Sequence, residues 1–294
     1  MAETSQRLRI ALPKGSLQEP TLALLAKAGY TVYSSSRGLR PASDDAELDI
    51  YMIRAQEIGQ YIDDGFLDCG ITGYDWVYEN GADLHDLAEL PYSRASVRPT
   101  RWVLVVPEDS PILTVADLEG KRIATEAVGI TKRYLEGKGV KADIEFSWGA
   151  TEVKVPDLVD AIVEVTETGS SLRANKLRIV DELLVSFPHF YASKAAFADD
   201  WKRQKMERMV LMINAALAAR DKVGLKLNLP EKSLPEVLKR LPSLRRPTVS
   251  SLAEDGWVAV ETIVDETVVR HLIPDLKDLG AEGIIEYPLN KIVP

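Results

Sequence analysis

Acids, hydroxyls and a glycine crowd together in Asp160-Ala-Ile-Val-Glu-Val-Thr-Glu-Thr-Gly-Ser-Ser-Leu172. The apolar run predicts a buried strand, and Thr168-Gly-Ser-Ser-Leu172 predicts a turn that opens a helix. Asp160 and Glu164 lie four apart, so on a strand both point to the same side as Ile162. Short side chains at Thr168, Gly169, Ser170 and Ser171 leave backbone N–H groups unobstructed before Leu172, and a helix start adds partial positive charge. That is a cradle for phosphate. Carboxylates just ahead of it suit a sugar phosphate, with acids for the hydroxyls and N–H groups for the phosphate. A buried strand followed by an ordinary hydroxyl-rich turn explains the same residues, and composition alone does not choose.

A second set of polar residues falls where strands end and helices begin. Leu8–Leu12 reads as a strand, Lys14 and Gly15 follow it, and Ser16 with Glu19 has the spacing of a capping box for the next helix. Arg54 ends a strand over 49–53, and Gly73 ends one over 67–73 with Asp75 in the helical turn beyond. Such edges are where open α/β sheets bind ligands. A solvated lysine, a surface arginine and a carboxylate complementing a helix dipole are the plainer readings.

Positioning these residues takes an alternation of strands and helices as far as residue 222. A long helix over 199–222 precedes a segment with its own βαββαβ order, which is ferredoxin-like. Within that segment Ser233 and Glu236 predict a second capping box, Gly280 stops the last helix, and Pro274 should kink it. The expected division is 1–100 with 188–220, then 101–187, then 221–294. The chain has 294 residues and a formal charge of −9, with no long Lys/Arg cluster to suggest nucleic acid. No apolar run approaches the ~20 residues of a membrane-spanning helix. One cysteine, Cys69, excludes an intramolecular disulfide framework and fits a reducing cytoplasm. His85, His189 and His271 have no metal-ligand spacing. Neither a P-loop nor a dinucleotide-binding glycine motif is present.

The stretch 160–172, with Gly149-Ala-Thr-Glu-Val153 before it and Ala174-Asn-Lys-Leu177 after it, resembles the phosphoribosyl-pyrophosphate loop of ATP phosphoribosyltransferases. That family opens histidine biosynthesis. Asp68-Cys-Gly-Ile-Thr-Gly73 matches another of its signatures, and the resemblance spans essentially the whole chain. It implies two lobes of the type II periplasmic-binding-protein kind, plus a C-terminal regulatory domain. It also implies attack by N1 of ATP on phosphoribosyl pyrophosphate, with pyrophosphate leaving.

Carried over residue by residue, the resemblance makes Asp160, Glu164 and Glu152 the catalytic acids and Thr168–Leu172 the phosphoribosyl loop. It sets Lys14, Gly15, Arg54, Gly73 and Asp75 near ATP or pyrophosphate. Mg²⁺ would be held mainly by substrate phosphates. Asn228, Leu244 and Thr248 would receive histidine as an inhibitor. A homo-oligomer, from dimer to hexamer, is expected as well, and the single cysteine with no apolar signal segment or spanning run makes the expected location cytoplasmic.

The sequence departs from the family's usual pattern in several places. Ser16 stands where many members have Arg, Glu164 where many have Asp, and Ser171 where Thr is usual. Glu126-Ala-Val-Gly129 replaces a common Tyr-Pro, and Asn228 falls where some relatives have Asp. Two other functions use the same architecture: a two-lobed small-ligand-binding protein without chemistry, and a ligand-sensing regulator built on the C-terminal module.

Overall fold

A computed structural model describes residues 6–33, 39–93, 98–242 and 247–293. The chain divides into two compact units, Met1–Ala26 with Tyr30–Val210, and Lys27–Gly29 with Leu211–Pro294. The division falls inside a long helix and not at its end. No Gly or Pro marks that point, which is why sequence punctuation placed it later.

The first unit holds two sheets. One lobe begins with β1 (Leu8–Lys14), α1 (Gln18–Ala28), the short β2 (Val32–Tyr33) and β3 (Ala42–Ser43), and β4 (Leu48–Arg54). It continues through α2 (Ala55–Asp63), β5 (Cys69–Gly73), α3 (Tyr74–Asn80) and β6 (His85–Glu89). The second lobe comprises β7 (Thr100–Pro107), β8 (Arg122–Thr125), α4 (Val128–Lys138), β9 (Asp143–Phe146), β10 (Ala161–Thr166), α5 (Ser170–Ala174) and β11 (Leu177–Ser186). The chain then returns to the first lobe as β12 (Pro188–Ala192), followed by α6 (Lys194–Ala198) and α7 (Asp200–Ala218).

Strand order is β4-β1-β5-β12-β6 in the first lobe and β11-β7-β10-β8-β9 in the second. Both are buried on two faces, which is why their central strands are nearly unbroken apolar runs. Along β10, Ala161 and Val163 pack with Trp102, Leu104 and Ile123, while Ile162 packs on the other face with Val103, Val105 and Leu172.

Two elements escaped the sequence pattern. β6, His-Asp-Leu-Ala-Glu, has weak strand propensity and is half exposed; pairing with β12 makes it an edge strand. β11 runs longer than its alternation suggests, because register shifts at Ile179/Asp181 and Glu182/Leu184 break the period. The Ser16–Glu19 capping box is a correction. α1 begins at Gln18, whose N–H donates to the Gly15 carbonyl at 3.1 Å, leaving Gly15 and Ser16 in an exposed turn after Lys14, the last residue of β1.

The second unit contains β13 (Lys222–Pro230), α8 (Leu234–Arg240), β14 (Thr248–Ser251), β15 (Trp257–Asp265), α9 (Glu266–Asp278) and β16 (Glu282–Pro288). Its sheet order, β14-β15-β13-β16 with every neighbour antiparallel, is the ferredoxin-like arrangement. Alternate residues Leu225, Leu227 and Leu229 of β13 meet Val258 and Val260 of β15 and Leu272 and Leu276 of α9 in one core. Ser233 does not cap α8: a 3₁₀ turn at Glu231–Ser233 already gives it helical dihedrals. α9 runs on through Pro274 to Asp278, and Gly280 at φ +89° ends it as expected.

Candidate active site

Parallel strands β1 and β4 end side by side, and their register puts Lys14 opposite Arg54. Both side chains are exposed, and neither makes an ion pair among the described residues. Two adjacent cations repel each other, so this edge favours an anion that can reach both. They border a cleft of about 820 Å³, whose lining includes Gln56 from this lobe and Trp102, Glu126 and Thr166 from the other.

Across the cleft the strand ends are acidic. Glu126 follows β8, and its carboxylate accepts from Gln56 at 3.2 Å. Glu164, near the end of β10, accepts from the Val165 N–H at 2.9 Å. Burial pushes its carboxyl above the ordinary glutamate value, and the charges of Glu152 and Glu126 push the same way. Glu152 lies in a 3₁₀ turn and accepts from Ser171 Oγ at 3.0 Å, tying the acids to the hydroxyl loop.

The loop itself is built from its own side chains. Thr166 Oγ1 accepts from the Gly169 N–H at 2.8 Å, Thr168 Oγ1 donates to Ser170 Oγ at 3.0 Å, and Gly169 sits at φ +70°. A Cβ there would be strained whatever space surrounds it. Leu172 is 2% exposed and anchors α5 in the core, so any part it takes in binding belongs to its backbone. Thr168–Ser171 lie just outside the cleft lining, which reaches Thr166 and Glu167.

Two expected site residues are placed differently. Asp160 shares a strand face with Glu164 but stands at the other end of β10, roughly 13 Å of strand away. There it accepts from the Arg122 N–H at 2.9 Å and from Lys121 Nζ at 3.2 Å. The Arg122 hydrogen bond leads in holding its carboxyl below the usual range. It belongs to the frame of the second lobe.

Asp75 does line the cleft, yet its carboxylate is committed. Trp102 Nε1–H donates to one oxygen at 2.8 Å and Ser186 Oγ to the other at 2.9 Å. Burial raises its carboxyl despite these donors. Gly73 serves that arrangement, since a Cβ would come within 2.0 Å of Asp75 Oδ1. Gln56 and Trp102 were not singled out from sequence, and Glu126 stood out there only as the start of a departure from the family's pattern. Only the sheet-edge position of Gln56, two residues past Arg54, and of Glu126, one past β8, could have found two of them.

The family model for ATP phosphoribosyltransferase matches residues 54–215, and that for the HisG C-terminal domain matches residues 219–291. The chain belongs to the ATP phosphoribosyltransferase family. An ATP phosphoribosyltransferase of Chlorobaculum parvum is 56% identical over 293 residues, covering 100% of both chains. One from Thermodesulfovibrio yellowstonii is 54% identical over 98% of each. A solved ATP phosphoribosyl transferase (HisG:HisZ) complex from Thermotoga maritima superposes with TM-score 0.60 at 27% identity, covering 70% of this chain and 98% of that one. The chain is therefore an enzyme of histidine biosynthesis acting on ATP and phosphoribosyl pyrophosphate.

A divalent metal ion accompanies the reaction in this family. Among the described residues no three His, Cys, Asp or Glu side chains form a metal site. The charges of Glu152 and Glu126 both bear on Glu164, an acidic edge that fits a hard cation taking its oxygens chiefly from phosphate. No helix among the described residues is long and apolar enough to cross a membrane.

The second unit carries a hollow of about 260 Å³ on its sheet, lined by Asn228 and Thr248 together with Lys226, Ser250 and Glu261. Lys226 and Glu261 pair at 3.3 Å. Leu244 lies outside the described residues.

Proposed function

We propose that phosphoribosyl pyrophosphate lies with its 5′-phosphate on the Thr168–Leu172 loop and its pyrophosphate toward Lys14 and Arg54. The opposed walls of the cleft carry this reading: two cations on one lobe that make no ion pair among the described residues, and Glu126, Glu167 and Thr166 on the other. Gly15 leaves the turn after Lys14 without a side chain beside the phosphates. The adenine N1 lone pair forms a bond to C1 as the C1–O bond breaks, and that electron pair leaves with pyrophosphate.

Glu164, with Glu152 next to the loop, faces the ribose and stabilises positive charge developing at C1. Lys14 and Arg54 take up the charge of the leaving group. Mg²⁺ bound to the phosphates would add neutralisation there. The C-terminal hollow would take histidine as an inhibitor: Lys226 and Glu261 offer both signs to a zwitterion, and Asn228 and Thr248 offer hydrogen bonds. A homo-oligomer working in the cytoplasm completes the proposal.

The test is to follow the absorbance of N1-substituted adenine with ATP, phosphoribosyl pyrophosphate and Mg²⁺, Mn²⁺ or Ca²⁺, and then to add histidine. Turnover and substrate binding both unchanged in Arg54→Ala would remove the leaving group from this edge. Strictly competitive inhibition by histidine at the cleft would remove the regulatory role.

A further inference from the structure

α3 belongs to the first lobe but is bonded to the second at both its ends. At its start, Asp75 accepts from Trp102 of β7, and Trp76 meets the Trp102 ring edge-on at 5.7 Å between centroids. Toward its end, the two oxygens of Glu79 accept from the N–H groups of Gly129 at 2.7 Å and Ile130 at 2.6 Å, in the first turn of α4. Those N–H groups have no intrahelical partner, and the helix dipole favours a carboxylate there. Arg133, one turn on, donates to the Tyr78 carbonyl and lies 4.2 Å from the centre of the Tyr78 ring.

Gly129 makes this approach possible. A Cβ on it would stand 2.8 Å from the Glu79 carbonyl oxygen and 3.0 Å from its carboxylate. The departure from Tyr-Pro at Glu126–Gly129 thus has a structural counterpart: it seats α4 on the opposite lobe. Glu126, which lines the cleft and accepts from Gln56, is two residues ahead of that helix.

We propose that Glu79 is a positioning residue: it clasps α4 across the lobe boundary, holding Glu126 opposite Lys14 and Arg54 in a cleft formed before substrate arrives. Lobes joined by crossing strands otherwise move relative to one another, closing around ligands by a hinge. Here the Glu79 clasp and the Asp75–Trp102 bond connect the lobes through protein groups alone. Substrate then enters a set geometry and does not have to supply the free energy of closure. The inference rests on the cleft being the substrate site, as proposed above.

Spin labels at Glu57→Cys on α2 and Glu136→Cys on α4, both exposed, report the distance between lobes. Cys69 is fully buried and escapes labelling, and diluting labelled protein with unlabelled chains isolates distances within one copy. One narrow distribution, unchanged by saturating phosphoribosyl pyrophosphate, is expected. Glu79→Ala and Gly129→Ala should each broaden it and raise KM for both substrates by about tenfold, with a smaller change in kcat. Because they break one contact from opposite lobes, the double variant should be no worse than either single one. Glu79→Gln, which keeps reach and one acceptor but loses the other and the charge, should recover part of the loss.

An unchanged distribution in both alanine variants overturns the clasp, as does a wild-type distribution that shortens when substrate binds. Arg54→Ala separates the two ideas, because it should weaken substrate binding without altering the distance. If it leaves binding intact, the cleft reading fails while the clasp stands.

Discussion

The two walls of the cleft solve different electrostatic problems. On the first lobe, Lys14 and Arg54 meet through strand register and stay unpaired among the described residues. On the second, Glu126 in the lining accepts from Gln56, and just beyond the lining the acids and hydroxyls are hydrogen-bonded within the protein: Glu152 with Ser171, Glu164 with the Val165 N–H, Thr168 with Ser170. The first wall gains most from an incoming anion. The second is preorganised, so little reorientation accompanies charge developing beside it. A chain of net charge −9 can thus bind highly anionic substrates because local placement, not the overall field, decides.

The strongest way to break this contrast is at the loop. Gly169→Val should lower affinity for phosphoribosyl pyrophosphate by more than about 100-fold, or ~2.7 kcal/mol, because a β-branched residue cannot hold φ +70°. Calorimetric titration measures it, with circular dichroism to confirm the fold. Unchanged affinity would take the loop out of the site.

Next comes the cation wall. Arg54→Ala and Lys14→Ala should each raise KM about tenfold to a hundredfold, as expected for lost charge-assisted hydrogen bonds. The double variant should fall short of the product, since each substitution also relieves repulsion on its neighbour. Full multiplicativity would show that the two cations do not share one anion.

Glu164→Gln sharpens the opposite wall. We expect kcat to fall more than tenfold, ~1.4 kcal/mol of barrier, with substrate affinity less affected. The Glu164 carboxyl is raised in the folded protein, so activity that needs its ionised form should decline as pH falls through a value above that of an ordinary glutamate. That acid limb should vanish in the glutamine variant. The sign for stability is the reverse. A raised carboxyl disfavours folding as pH climbs from the unfolded value through the folded one, so Glu164→Gln should gain stability relative to wild type at neutral pH and not below pH ~4. A gain that persists in acid would contradict the burial argument.

Asp75→Asn follows the same linkage with a smaller effect on turnover. Burial raises this carboxyl too, and an amide can still accept from Trp102. Its melting temperature should approach or exceed that of the wild type at neutral pH and lose this advantage in acid. Smallest of all, Thr248→Ala lies outside the cleft and should weaken inhibition by histidine about tenfold while leaving kcat and KM in place. If histidine inhibition is untouched, the hollow on the C-terminal sheet is not its site.

Much of this architecture was legible in residue order. Apolar runs within 8–12 and 101–107 announced strands because a sheet covered on both faces leaves little polar alternation, and the run within 49–53 announced an edge strand of the same sheet as the first. The βαββαβ order of residues 222–288 appeared as strand and helix periods separated by turns. β6 and the bulged β11 did not show, since edge pairing and register shifts obey partners that sequence does not reveal.

At the site, the sequence by itself determined the chemistry available: a glycine that can hold positive φ at 169, hydroxyls around it, acids before it, and cations at two strand ends. Which of these meet was decided by tertiary structure. Asp160 and Glu164 share a face, but four residues of strand put them at opposite ends of β10. Asp75, which reads as a helix-start carboxylate complementing a dipole, is buried under Trp102 and Ser186, the latter 111 residues away. Glu79 reaches α4 across 50 residues of chain. Periodicity fixes only which side of an element a residue takes. Position along that element, and the partner it meets, depend on packing between segments remote in sequence.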